Sequence, residues 1–202
     1  MSTPPDDNSH ARELRDRWTR PENADVLAGL RAALVGGGDW HGLLREWSQP
    51  WGTENDLGGI PLAGTDLTGT DLKGVYLGYA DLRECSLSGC DLSDASLTGA
   101  DLTGADLTGA TLTGVNAGLS DLTGAGLRDV RADDAVLSRA RLVRTTLRGA
   151  SLRRAKLLAA DLTDADLTDA DLSSAVLIGA RTDGAVMTGT RLDGVRRGSL
   201  RP

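Results

Sequence analysis

From Leu62 to Leu192 leucine recurs at nearly every fifth position, in a register without insertion or deletion. The run Leu62, Leu67, Leu72, Leu77 and onward is broken in residue type only at Ala117, Ala132, Thr182 and Met187. Two places before each lies a small residue, such as Cys90, Ala95, Ala100 or Thr145. A period of five fits neither the 3.6 of an amphipathic helix nor the 2 of a flat strand, so the chain must turn once per block. In the commonest block, Gly-Ala-Asp-Leu-Thr at 99–103, the leucine and the alanine stand two apart. They therefore share one side of an extended segment, and the Asp between them faces the other way. The Thr-Gly or Ser-Gly that follows is turn chemistry. One block buries a single leucine, too little to offset the ordering of its own backbone, so the blocks must coil and stack. The pattern predicts a solenoid with no separate globular core.

Ahead of the repeats the period changes. Leu14, Trp18, Val26, Leu27, Leu30, Leu34, Leu43, Leu44 and Trp47 recur at spacings of three, four and seven, which predicts three short helices. Ser9 and Asp39 are the expected N-caps, Pro21 interrupts, and Gly36-Gly37-Gly38 reads as a helix stop. It is not a phosphate loop, because no strand precedes it and no Lys-Ser/Thr follows. The open end of a stack of strands exposes apolar side chains and unpaired backbone, so these helices are expected to cap it. The aromatics expected at that joint are Trp18, Trp40, Trp47 and Trp51 from the helical part, with Tyr76 and Tyr79 from the first coil. The organisation expected is a disordered 1–8, a helical cap over 9–56, the coil over 57–196 and a tail over 197–202.

Ala-Asp-Leu stands verbatim at 80–82, 100–102, 105–107, 160–162, 165–167 and 170–172. Over about two-thirds of the chain these blocks resemble the pentapeptide-repeat family, whose consensus is Ala-(Asp/Asn)-Leu-x-x. The resemblance implies an all-β solenoid, a right-handed quadrilateral β-helix with four pentapeptides per coil and the leucines pointing in. The register positions from 62 to 192 then make just under seven coils, a rod about 30 Å long at about 4.8 Å per stacked strand.

Composition sharpens what the chain does. At 202 residues and 40% hydrophobic content it has room for one solenoid and a small appendage, and it is too apolar to be disordered. No apolar run reaches membrane length, and Met1-Ser-Thr-Pro-Pro-Asp-Asp has no leader character, so a cytoplasmic location is expected. Cys85 and Cys90 fall on the small inward position of adjacent blocks and read as compact apolar fillers. The two histidines, His10 and His41, lie in the helical part with no triad or metal-ligand spacing around them. The repeated Asp is the resemblance's outward residue, and a convex rod offers no catalytic pocket. No enzymatic activity, cofactor or metal is expected.

The outward charges are the remaining clue. Family members that protect DNA gyrase are thought to imitate the shape and charge of duplex DNA, and the segment 60–122 is acidic enough, with Asp81, Asp101, Asp106 and Asp121 as the candidate mimic residues. From 128 to 156 the sign reverses through Arg128, Arg131, Arg139, Arg141, Arg144, Arg148, Arg153 and Arg154, so the rod is banded. In a twenty-residue frame Asp121, Arg141, Asp161 and Arg181 stack as an alternating ladder, each pair worth on the order of 1 kcal/mol in water. A net charge of −7 weighs against direct nucleic-acid binding. Val136 and Val176 fall in one outward column and Leu158 and Ile178 in the next, a patch of the kind that marks interfaces.

These features predict a non-enzymatic interaction or scaffold module with a protein partner. The alternative is a DNA-mimicking protein that binds DNA gyrase and confers resistance to a topoisomerase poison. The repeats lack the interrupting loop that gyrase-protecting members often carry, which counts against that role. A homodimer is expected, through the last coil or through the Val136 to Ile178 face. Ala117, Ala132 and Thr182 each forfeit roughly 2 kcal/mol of burial unless the site adapts, and compensation by the neighbouring Leu119 or by a local bulge is expected ahead of a ligand cavity.

Overall fold

The structure is a computed structural model in which residues 7–46 and 55–198 are described. It opens with α1 (Asp7–Thr19), a single 3-10 turn at Pro21–Asn23, α2 (Ala24–Gly36) and α3 (Trp40–Glu46). α1 begins at Asp7, so Ser9 lies inside the helix and is not its cap. Asp39 does cap α3: its carboxylate accepts the Gly42 N–H at 2.8 Å, satisfying one of the orphan donors of the first turn. α2 ends where Gly37 takes the left-handed conformation at φ 67°, and the Gly38 N–H closes on the Ala33 carbonyl at 2.8 Å. Trp47, Trp51 and most of the expected terminal segments 1–8 and 197–202 lie outside the described residues.

From Asp56 onward the chain returns beside itself every twenty residues. Asp56 pairs with Tyr76, Pro61 with Asp81, Asp66 with Ser86, Asp71 with Asp91, all in parallel, and the pairing continues unbroken to Val176 with Arg196. Four ladders five residues apart define four faces. Along each face the bonding is the same. Leu102 N donates to Asp121 O at 2.7 Å, Asp121 N to Ala100 O at 3.0 Å and Gly104 N to Thr123 O at 3.0 Å. Each corner is then closed from the small residue back to the leucine, as in Ala105 N to Leu102 O at 3.0 Å. In these four-residue turns the third residue is left-handed, the position that favours glycine.

Thirteen of these corners hold another residue at positive φ, and from Leu119 to Ser174 only Gly124 and Gly149 interrupt the run of non-glycines. Five are Asp, the side chain that tolerates this conformation best apart from Asn. Four of the five, Asp94, Asp129, Asp164 and Asp169, lie under a glycine twenty residues later, where their carboxylates fill the space a Cβ would need. Leu119, at φ 61°, has no such excuse: a left-handed leucine costs about 1–2 kcal/mol.

The leucines and the small residues two places before them point inward and form one continuous core from Leu57 to Leu177. Polar residues at the small position are satisfied by the carbonyls of residues in the leucine register. The Cys85 and Cys90 thiols donate to Leu62 O at 2.9 Å and Leu67 O at 2.8 Å, and the Thr145 and Ser120 hydroxyls donate to Leu142 O and Ala117 O at 2.7 Å each. Burial pushes both thiols above their ordinary range, so they are inert fillers. The two alanines in leucine positions are not compensated. Leu119 points outward at 49% exposure, and the ladders run straight past Ala117 and Ala132 without a bulge. Instead both alanines line one internal cavity of about 20 Å³, walled by Leu97, Leu107, Leu112 and Leu137. It offers no polar surface, so it stays dry.

Candidate interaction surfaces

The helices are joined to the first coil through Arg17 and Trp18. Arg17 is 4% exposed, and its guanidinium reaches both carboxylate oxygens of Asp56, at 2.8 and 3.2 Å, and the Gly58 carbonyl at 2.8 Å. The Trp18 indole donates to the same carbonyl at 2.8 Å and lies 4.8 Å from the guanidinium carbon. Gly59 sits against the α1 backbone, where a Cβ would run into the Leu14 carbonyl. Arg31 donates to the Pro61 carbonyl. Trp40 is buried in the core cluster, stacked on His41 at 3.6 Å. The Tyr76 ring lies over Gly58 and Gly78, and burial followed by the Asp56 charge raises its hydroxyl above the ordinary phenol range. Tyr79 covers Gly99 and meets His10 edge-on at 6.2 Å. Of the six aromatics singled out, the four described ones all gather at this end.

The candidate acidic residues divide between two faces. Asp81, Asp101 and Asp121 form one ladder column that continues as Arg141, Asp161 and Arg181, whereas Asp106 lies on the next face between Ser86 and Gly126. Each of these carboxylates is committed to its own turn. Asp101, Asp106 and Asp121 accept both the N–H and the hydroxyl of Thr103, Thr108 and Thr123, and Asp81 is gripped by Arg83. The repeated Asp is thus a turn-forming residue first, through its side chain bonded two residues on. The same bonds hold Asp66, Asp161 and Asp166 below the usual carboxylate range, the hydroxyls of Thr68, Thr163 and Thr168 being the largest cause.

The arginine band becomes a belt around the rod. Arg139 lies on the face of the Asn116–Val136–Lys156 ladder, Arg141 and Arg144 on the next, Arg128 and Arg148 on the third, and Arg131, Arg153 and Arg154 on the fourth. Arg141 pairs with Asp121 at 3.5 Å, Arg148 with Asp166 at 3.2 Å and Arg154 with Asp134 at 2.7 Å. Farther along, Arg181 and Arg191 reach Asp161 and Asp171 at 3.4 and 3.8 Å. All are exposed pairs of small individual value. Among the described residues Arg128, Arg131, Arg139, Arg144 and Arg153 form no ion pair within 4.0 Å.

The apolar candidates do come together. Val136 and Val176 share the ladder through Lys156, and Leu158 and Ile178 occupy the following turn position of the same face. Leu158 is 37% exposed, and the other three are half-buried. Leu119, expected as an inward filler beside Ala117, joins them instead from the same corner column as Arg139.

An unbroken parallel coil with a leucine-filled axis and outward polar corners defines a β-helical repeat protein. The chain belongs to the pentapeptide-repeat family: eight copies of the pentapeptide-repeat pattern match residues 56–89, 90–129 and 133–169. No curated protein matches the chain. Among solved structures, a pentapeptide-repeat protein, Rfr23, from the cyanobacterium Cyanothece 51142 is 33% identical over 45% of this chain and 63% of its own, with a TM-score of 0.45. The chain thus spans less than two-thirds of that protein's length. A trypsin-treated form of QnrB1, a plasmid-mediated fluoroquinolone resistance protein, is 19% identical over 70% of this chain and 82% of its own, with a TM-score of 0.50. HetL from Nostoc sp. strain PCC 7120, a pentapeptide-repeat protein involved in heterocyst differentiation regulation, is 27% identical over 76% and 94%, with a TM-score of 0.31.

Proposed function

We propose that the chain is a non-enzymatic, cytoplasmic protein-interaction module: a right-handed quadrilateral β-helix, capped at its amino end by α1 to α3, that presents its outward side chains to a protein partner. The observation that carries this reading is the division of labour across the wall. Inward positions are consumed by packing, and the outward ones form three mixed-charge faces and one acid-free face that carries most of the outward apolar residues. Affinity capture with the chain, set beside Val176→Asp plus Ile178→Asp, tests it. A protein retained by the first and lost with the second supports the reading; retention of no protein by the unaltered chain above a blank matrix contradicts it. A homodimer is proposed through the last coil, where Met187, Leu192 and Val195 are only half-buried. Light scattering of Leu192→Asp should then report half the mass of the unaltered protein.

A second reading, a DNA-mimicking protein that binds DNA gyrase, is favoured by one observation, the stacked column Asp81–Asp101–Asp121. The arginine belt weakens it, since Arg141 interrupts that same column one coil further on.

A further inference from the structure

The faces of this rod differ in one respect that the linear sequence conceals. On the face of the Tyr76–Ser96–Asn116–Val136–Lys156–Val176–Arg196 ladder, no outward position from Tyr76 to Gly198 carries a carboxylate. Its charges are Arg139, Lys156, Arg196 and Arg197, all positive, in a chain of net charge −7 whose other three faces all bear acids over the same length. Most of the outward apolar side chains of this half of the rod collect here as well, namely Leu119, Val136, Leu158, Val176 and Ile178, while Val143 and the 48% exposed Val186 stand on other faces.

Leu119 marks the patch as more than leftover surface. Leu119 stands left-handed at φ 61° and is 49% exposed, so it takes on backbone strain and sends its side chain into water, with no gain to the core. The next residues up the same corner, Arg139 and Ala159, are also left-handed non-glycines, at φ 59° and 54°. Three successive coils thus forgo glycine at this corner, as they also do at the corner of Asp134, Arg154 and Ser174.

Resting on the interaction reading above, we propose that this face docks an amphipathic helix from a partner protein, with its apolar residues on the patch and acidic residues toward Arg139 and Lys156. The charge selects the occupant. A second copy laid face to face would bring like charges together, whereas an acidic segment meets a surface free of competing carboxylates. The spacing selects the helix. From Leu119 to Ile178 the patch climbs three coils, about 15 Å at about 4.8 Å each, which is the length of about ten helical residues. A helical pitch of about 5.4 Å places roughly one apolar anchor per coil, as helix-in-groove recognition requires.

The test uses the full chain and a fluorescein-labelled synthetic 18-residue amphipathic helix, leucine on one side and glutamate on its flanks, read by fluorescence anisotropy. Saturable binding to the unaltered protein is expected, at least tenfold weaker for Arg139→Glu plus Leu158→Glu, and at least tenfold weaker again for a peptide with lysine replacing glutamate. Leu119→Gly separates docking from folding: it should melt higher than the parent yet bind the peptide several-fold more weakly. No binding of the glutamate peptide, or no preference for it over the lysine peptide, overturns the proposal. Binding untouched by all three substitutions moves the partner to another face, overturning this proposal while leaving the interaction function standing. Dissociation of a dimer by the Arg139/Leu158 variant, with peptide binding unchanged, makes the face a self-contact and overturns it too.

Discussion

Arg17 does at the joint what no single leucine does in the coil, because its charge is withdrawn from water against one partner. Removing the guanidinium leaves Asp56 facing a buried site without a counter-charge and frees two carbonyl contacts of the first coil. Arg17→Ala should therefore cost about 3 kcal/mol or more, read as a fall in the urea midpoint, and Arg17→Ala with Asp56→Ala should cost less than the two single changes summed. The turn-bonded aspartates act in the opposite regime, individually exposed but many times repeated. Asp66, Asp161 and Asp166 have folded pKa values held below their unfolded ones. Their contribution is fully present above the unfolded carboxylate range of about 4 and is lost as the pH falls through the depressed folded values. The melting temperature should thus be level from pH 7 to pH 5 and drop below about pH 4; a melting temperature unchanged at pH 3 would contradict the role given to these bonds.

The element that repeats is the five-residue side with its corner, and its weak points are where the side chain departs from the pattern. The cavity between Ala117 and Ala132 follows from geometry: fifteen residues apart is one coil less one side, so two small residues on adjacent sides and neighbouring coils hollow out the same stretch of axis. At about 24 cal/mol per Å³ a void of about 20 Å³ adds only about 0.5 kcal/mol to the burial that two missing leucine side chains forfeit. Ala132→Val should recover about that amount and Ala132→Phe should lose stability, both measured by urea unfolding. The period of five made the inward positions, the corner and the stacking direction readable from residues such as Leu102, Ala100 and Gly104. It did not reveal that Leu119 turns outward, since a leucine two places past Ala117 looks like a replacement for it. Nor did it reveal the Arg148–Asp166 pair, eighteen residues apart, because long side chains reach across the twenty-residue frame. The joint was legible only as an aromatic concentration. Which atoms meet there, Arg17 with Asp56 and Leu14 with Gly59, depends on how the helices fold back on the coil.

For the whole molecule, coiling redistributes what the chain arranges in bands. An acidic stretch followed by a basic one becomes a rod with an arginine belt around all four sides, and its sharpest contrast runs lengthwise, between one acid-free face and three mixed ones. Among the described residues the helices meet the first coil at Asp56, Gly58, Gly59, Pro61 and Thr70 and reach beyond it to Tyr79 through His10. Deleting residues 1 to 50 should therefore expose that coil's edge and apolar interior, lowering the melting temperature and promoting association seen by light scattering. A truncated protein that stays monomeric and equally heat-stable would remove the capping role.

The claim that the function resides in protein docking and not in imitation of DNA meets its most direct test in a supercoiling assay with purified DNA gyrase, run with and without a quinolone. The belt that breaks the acidic column predicts that supercoiling and its inhibition by the drug stay unchanged at a large molar excess of the protein. Inhibition of the enzyme, or rescue from the quinolone, that is abolished by Asp101→Lys would contradict it and place the function on the acidic column.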